Sequence, residues 1–388
     1  MNKPQAPLKI EISKSAILHN IKFVRQLIDE DVTYYSVVKG NAYGHGIETY
    51  CKVVFEAGVQ HFCTYTAEEA YRVWKTTDGK AAILIMGYIA PNELEWVIEN
   101  DIEFFVFEEK RLQDAITTAK KINKKALVHI ELETGMNRTG FPIEDLDTVL
   151  STIDSNASCM EAKGICTHFA GAESITNYHR VKKQQSRFKK VVKKLKKNQQ
   201  LPLLVHSSCS AAVIAYPKSK HNMVRIGILQ YGFYPSREIL VNYLNHNEGK
   251  ENILQPKRVL SWKSSVMDIK DVKAGEFIGY GTSFFSNTPT KIAIIPVGYS
   301  LGFNRNLSNL GRVLINGKRL NIIGTINMNA LTVNITDLED IKIGDEVVLI
   351  GKQGEMEISV SSFSDAGNLP NYELLTRLPA EIPRVLVD

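Results

Sequence analysis

Val32-Thr33-Tyr34-Tyr35-Ser36-Val37-Val38 is a short apolar run that closes on Lys39 and opens into Gly40-Asn41-Ala42-Tyr43-Gly44-His45-Gly46. A run this short, rich in β-branched and aromatic residues, reads as a strand buried on both faces. The same kind of run recurs at His61–Tyr65, Ala82–Met86, Ile102–Val106, Ala126–Leu132, Ala162–Thr167, Leu203–His206 and Val224–Leu229. Amphipathic stretches such as Ala67–Trp74, Glu109–Lys121 and Ser174–Lys197 lie between them. Strands alternating with helices predict a parallel sheet with crossover connections, and eight units within about 200 residues favour a closed (β/α)8 TIM-like barrel over an open sheet.

After Leu240 the pattern changes. Strand-like runs recur without long helices at Arg258–Met267, Glu276–Gly279, Lys291–Val297, Gly311–Ile315, Leu320–Ile326, Leu331–Ile335 and Glu346–Ile350. Asn316-Gly317 between two of them is a strong hairpin signal. The expected organisation is an α/β barrel over residues 1–244 and a mostly antiparallel β domain over residues 245–388. Residues 1–12 are a candidate extra strand for the β domain, and the polar segment Asn242–Lys257 with Pro256 is the expected joint.

With 388 residues, 44% hydrophobic and 23% charged, the chain can fill such cores, which excludes disordered and fibrous classes. The net charge of +5 is no larger than one local run, Lys189-Lys190 through Lys193-Lys194 to Lys196-Lys197, so no nucleic-acid partner is expected. Val181, Phe188, Val191, Val192 and Leu195 share one helical face there and the lysines take the others, which reads as a solvated surface without a function. The cysteines Cys51, Cys63, Cys159, Cys166 and Cys209 are odd in number, scattered and without a C-x-x-C pair. No disulfide frame and no metal site are expected, and a reducing, cytoplasmic setting suits the chain. Neither a signal-peptide pattern at the N-terminus nor an apolar stretch near the ~20 residues of a membrane span is found, so no membrane association is expected.

Barrels of this kind do their chemistry where strands end at the C-terminal face. Lys39 closes the first strand, and desolvation there favours the neutral, nucleophilic amine. Thr134-Gly135-Met136-Asn137-Arg138 follows the fifth strand, His168 the sixth, and His206-Ser207-Ser208-Cys209-Ser210 the seventh, while Arg225 and Gly227 belong to the eighth. Hydroxyl and main-chain donors after strands seven and eight suit a phosphate. A lysine facing a phosphate site suggests a Schiff base with a phosphorylated aldehyde, hence pyridoxal 5'-phosphate. Each residue alone also fits an ordinary structural role: turn tyrosines at Tyr43 and Tyr280, a core histidine at His168, a paired interior arginine at Arg225.

Val37-Val38-Lys39-Gly40-Asn41-Ala42-Tyr43-Gly44-His45-Gly46 resembles the cofactor-attachment motif of the alanine racemase family. Gly135-Met136-Asn137-Arg138-Thr139-Gly140, Thr167-His168-Phe169-Ala170, Asn222-Met223-Val224-Arg225-Ile226-Gly227 and Gly279-Tyr280-Gly281-Thr282 match further blocks in the family's order. The resemblance spans essentially the whole chain. It implies a homodimeric, pyridoxal-phosphate-dependent amino-acid racemase with shared active sites and a small amino-acid substrate, interconverting L-alanine and D-alanine and supplying D-alanine for peptidoglycan. Lys39 resembles the lysine that carries the cofactor and acts as base on one face, and Tyr280 the opposite-face base supplied by the partner subunit. His168 resembles a residue supporting that tyrosine, and Arg225 the arginine facing the pyridine nitrogen, where a guanidinium would weaken the electron sink and suppress transamination. Tyr43, Ser210, Gly227 and Ile228 resemble phosphate ligands, Arg138 and Met328 substrate-carboxylate ligands, and Tyr299 a supporting residue.

The chain also departs from the family pattern. Glu131 stands where many members carry a carbamylated lysine, and a charge-assisted hydrogen bond from Arg138 to Glu131 is the expectation. Cys209 replaces an asparagine, Leu301 and Asn329 replace aspartates, and Ala380 replaces a phosphate-binding tyrosine. These changes leave both bases in place and keep open a racemase of serine, basic or a broad range of amino acids. A pyridoxal-phosphate-binding protein without turnover is the remaining alternative, although it gives the β domain and Tyr280 no purpose.

Overall fold

The computed structural model describes residues 7–200, 202–363 and 371–388. Residues 1–6 of the expected N-terminal strand lie outside the described residues. The chain divides into two compact units, one of residues 16–42 and 50–257, the other of described residues up to 15 with 43–49 and 258–388.

Strand β1 (Lys9–Ser13) belongs to the second unit. The first unit is built on β2 (Thr33–Val37), β3 (His61–Thr64), β4 (Ala82–Ile85), β5 (Glu103–Val106), β6 (Ala126–Glu131), β7 (Met160–Cys166), β8 (Leu204–Cys209) and β9 (Met223–Ile226), which close into a barrel in that order. Every pair is parallel, and β9 returns to β2 with Arg225 opposite Tyr35. Strands buried on both faces explain the continuous apolar runs: Phe104, Val106, Val128, Ile130 and Ile165 are fully covered. Connecting helices begin where side chains satisfy free main-chain donors. Thr66 accepts the Glu69 N–H at 3.2 Å ahead of the helix Ala67–Thr76, and Glu108 accepts the Lys110 and Arg111 N–H groups ahead of Glu109–Ile122.

The second unit holds two sheets. In the larger, β10 (Leu260–Ser265) lies between β1 and β16 (Glu346–Gln353), β13 (Arg312–Ile315) and β14 (Lys318–Asn321) extend one side, and β18 (Arg384–Val387) the other, with β17 (Met356–Ile358) on β16. The smaller sheet has the order β11 (Asp268–Val272), β12 (Thr290–Ile295), β15 (Leu331–Asn334). Pairing is antiparallel except between β1 and β18. Asn316 and Gly317 take φ of +49° and +72° and join β13 to β14, as the Asn-Gly pair predicts.

Two expectations are corrected. Glu276–Gly279 is not a strand: it makes a single bridge, Phe277 to Phe285, because Gly279 and Gly281 at φ +79° and +70° turn the chain around Tyr280. The first part of the expected joint is helical, since Arg237–His246 buries Ile239 and Tyr243, and the unit boundary falls between Lys257 and Arg258.

Candidate active site

Lys39 stands two residues beyond the end of β2 and is half-buried. Its ammonium has no carboxylate within ion-pair distance among the described residues, and its Nζ lies 5.9 Å from the centre of the Tyr65 ring. Desolvation, together with the positive charges of Arg138 and Arg225, pulls its pKa below the usual lysine value, with Glu69 opposing. A lowered pKa favours the neutral amine that nucleophilic and proton-transfer chemistry requires.

The turn that follows is unusual. Gly40, Asn41, Ala42 and Tyr43 all adopt left-handed backbone angles, φ 63°, 54°, 54° and 51°. Left-handed conformation costs about 1–2 kcal/mol for each non-glycine residue, so the surroundings must hold it. Glu69 supplies that hold within the barrel unit. Its carboxylate accepts the N–H groups of Gly40 at 2.6 Å, Asn41 at 3.3 Å and Tyr65 at 2.9 Å, and Arg72 donates to Asn41 Oδ1 at 2.8 Å.

Arg138 lies on the loop after β6. The expected hydrogen bond between Arg138 and Glu131 is not made: among the described residues no ion pair within 4 Å joins them, and Arg138 is exposed. Glu131 instead has Thr139 as its hydrogen-bonding neighbour. Burial raises its pKa, against the hydrogen bond from Thr139 and the charges of Arg225 and Arg138. The loop is organised by Glu133, which the sequence reading passed over. Its carboxylate accepts the N–H groups of Gly135, Met136 and Asn137, the latter two at 2.7 Å each. The loop folds back on the strand end, with Phe141 N–H on Glu131 O at 2.8 Å.

His168 and Arg225 meet at the barrel mouth, with a guanidinium nitrogen of Arg225 3.5 Å from His168 Nδ1 and 3.0 Å from the Thr167 carbonyl oxygen. Desolvation first, then the charges of Arg225, Arg138 and Lys39, push the His168 pKa down to about 3, so the imidazole is neutral. The helix Tyr178–Lys197 also has a part here that its lysines conceal. Gln184, 1% exposed, accepts the Ala170 N–H at 2.8 Å and donates to the His168 carbonyl at 2.9 Å and to Thr134 Oγ1 at 3.3 Å. Arg180 and Arg187, on neighbouring turns, donate to the carbonyls of Gly135, Met136 and Thr134. The helix assigned no function therefore clamps two loops of the site, and an apolar periodicity search could not see it.

After β8 and β9, Ser210 Oγ accepts the N–H groups of Gly227 at 2.9 Å and Leu229 at 3.4 Å. Its own proton is then free to be donated outward, and the buried Ile228 N–H between those two donors has no acceptor among the described residues. A hydroxyl proton and a free amide form a donor set for an oxyanion, and with the Lys39 amine and the Arg225 guanidinium they fit a phosphorylated aldehyde.

Residues 12–235 match the N-terminal domain of alanine racemase and residues 259–386 its C-terminal domain. The chain belongs to the alanine racemase family. It is 35% identical over 383 residues to an alanine racemase of Leptospira interrogans, covering 98% of this chain and 95% of that one. It is 34% identical over 380 residues to alanine racemase 1 of Caldanaerobacter subterraneus, covering 98% and 94%. The solved alanine racemase of Bacillus anthracis with bound L-Ala-P superposes with a TM-score of 0.88 at 30% identity, over 100% of this chain and 96% of that one. The chain is thus an isomerase of the amino-acid racemase class.

The family's remaining positions lie in the second unit. Tyr43 ends the left-handed turn. Tyr280 is 74% exposed between its two glycines, and its hydroxyl has no hydrogen-bond partner among the described residues. Tyr299 donates its N–H to the Asn327 carbonyl at 3.0 Å, and the Met328 carbonyl accepts from Ser300 N at 3.1 Å and Ser300 Oγ at 2.7 Å. Asn329, one of the departures from the family, donates to Ser300 Oγ at 2.9 Å, so it helps to shape this turn.

Proposed function

We propose that the protein is a cytoplasmic, homodimeric alanine racemase that uses pyridoxal 5'-phosphate and supplies D-alanine for peptidoglycan. The observation that carries this reading is the desolvated Lys39 amine, with no carboxylate within ion-pair distance among the described residues and under the charges of Arg138 and Arg225, in a chain of this family. Lys39, Ser210, Arg225, Gly227 and Ile228 would hold the cofactor, with Tyr43 and His168 assigned by resemblance. When bound, the cofactor supplies an electron sink that acidifies the substrate α-carbon.

The chain's own residues then divide the work. Lys39 moves a proton at one face of the α-carbon, and Tyr280 of the partner subunit moves one at the other. Arg225 would face the cofactor ring, where a guanidinium, which only donates hydrogen bonds, would weaken the electron sink. Arg138 and the main chain at Met328 orient the substrate carboxylate, and neutral His168 offers a hydrogen bond without adding charge.

Chiral chromatography of products from an L-amino-acid panel, with pyridoxal phosphate and with Lys39→Ala in parallel, tests this. D-alanine as the dominant product, lost in the variant, supports the reading. A different dominant D-product would show that Cys209, Leu301, Asn329 and Ala380 reset the specificity. No D-product from any amino acid would overturn it.

A further inference from the structure

A chain of buried polar side chains runs through the barrel interior to Arg225. Tyr35 Oη donates to Glu103 Oε2 at 2.9 Å, and His129 Nε2 bonds to the same oxygen at 3.0 Å. His129 Nδ1 meets His206 Nε2 at 2.8 Å, and His206 Nδ1 meets a guanidinium nitrogen of Arg225. Glu103 is 7% exposed, Arg225 4%, and both histidines are fully buried. Room for the chain is built into the sequence: a Cβ on Gly164 would stand 2.2 Å from His129 Nδ1.

Donor and acceptor order leaves one arrangement. A guanidinium only donates, so His206 Nδ1 must carry a lone pair and its proton sits on Nε2. That proton is donated to His129 Nδ1, whose remaining proton on Nε2 is donated to Glu103. The tautomers follow from this order, and every bond points from Arg225 toward the carboxylate. Burial and the adjacent Arg225 keep His206 neutral, as the order requires. Burial alone would raise the Glu103 pKa, but the hydrogen bonds from His129 and Tyr35 lower it, so the chain ends on an anion. Among the described residues no carboxylate lies within 4 Å of Arg225, and Glu131 acts on it only through space.

We infer that Glu103 is a positioning residue that sets the direction of this whole hydrogen-bond chain and thereby holds Arg225 in place for the cofactor ring. The inference rests on the proposed assignment of Arg225 to that ring. Without an acceptor at position 103, His129 no longer needs its proton on Nε2. If its proton moves to Nδ1, His206 is pushed to present an N–H to an arginine that can only donate. Two donors then face each other in a dry interior, and the guanidinium is displaced.

The test uses the full-length enzyme loaded with pyridoxal phosphate and labelled with ¹⁵N at histidine. Wild type should show His129 and His206 both protonated at Nε2 alone. Glu103→Leu should give mixed tautomers at both rings and a kcat for alanine racemisation lower by roughly tenfold, with KM changed less than about twofold. Glu103→Gln keeps an oxygen for Tyr35 and His129 and should keep the wild-type tautomers with a smaller loss. Gly164→Ala, which displaces His129, should reproduce the Glu103→Leu kinetics. Nδ1 protonation at either ring in wild type overturns the inference, and so do tautomers or kcat in Glu103→Leu that match wild type. Should Glu103→Leu not fold, the wild-type tautomers and Gly164→Ala decide. A wild-type enzyme that makes no D-alanine would instead refute the proposed reaction, and the tautomer result would still be read.

Discussion

The side-chain amide of Gln184 donates to the main-chain oxygen of His168 at 2.9 Å, tying the lysine-rich helix to the loop after β7. The same side chain reaches Thr134 on the loop after β6, so one buried residue spans two of the loops that carry site residues. Two other side chains act in the same way, Glu69 beneath the turn after Lys39 and Glu133 within the loop of Arg138.

Gln184→Leu keeps the volume and removes all three hydrogen bonds. The Ala170 N–H is then buried without a partner, and a loss of about 2–3 kcal/mol in stability is expected. KM should rise and kcat should fall, because Arg138 and His168 lose a common support. Denaturant unfolding and steady-state kinetics measure both, and a variant with wild-type KM would separate Gln184 from the site.

Gly44→Ala tests the close approach within the second unit. A Cβ there would lie 1.9 Å from the Leu375 carbonyl oxygen, at a φ of +82° that alanine tolerates poorly. Destabilisation of about 2–4 kcal/mol is expected from the clash and the strained backbone together. An unchanged urea midpoint would contradict this packing.

Acid should weaken the fold before any ordinary carboxylate titrates. Burial and Arg225 hold the pKa of His206 well below its usual value, and that of His168 is down at about 3. In the unfolded chain both take up a proton near pH 6.5, which the native state refuses. The unfolded state therefore binds more protons, so stability is complete above about pH 6.5. Below it, stability falls by up to about 1.4 kcal/mol per pH unit for each histidine, until the native pKa is reached. Urea midpoints at pH 7.5 and pH 5 provide the measurement, and equal values would mean that the histidines titrate normally in the native protein.

The barrel was legible because its strands are covered on both faces, so runs such as Ile102–Val106 need no pairing information to stand out. The β unit was harder. Strand β11 is half-buried or exposed throughout and carries Lys270 and Asp271, leaving no apolar run to read. Strand β18 exists through its parallel pairing with β1, more than 370 residues away, which no local pattern encodes. The candidate residues Lys39, His168, Ser210 and Arg225 do lie in or next to the ends of barrel strands, where the sequence points to them, whereas the residues that hold their loops carry no such signal. Glu69, Glu133 and Gln184 act on main-chain atoms of neighbouring loops, and only the folded chain shows which loops are neighbours. The expected Arg138–Glu131 bond failed for the same reason, since sequence proximity did not reveal that Glu133 shapes the loop.

Glu133→Gln makes that last point measurable. One carboxylate oxygen takes the N–H groups of Gly135 and Met136 and the other takes that of Asn137, so the anion serves three donors. A carboxamide has one oxygen and must turn its NH2 toward at least one of those donors. The loop then loosens, and Arg138, two residues beyond Met136, loses its fixed position. KM for alanine should rise several-fold, about 3- to 10-fold for the loss of one or two charge-assisted bonds, while kcat changes less. Glu131→Gln, which breaks none of the main-chain bonds that Glu133 makes, is the contrast. If it raises KM more than Glu133→Gln does, Glu131 orients Arg138 after all, and the role given to Glu133 is wrong.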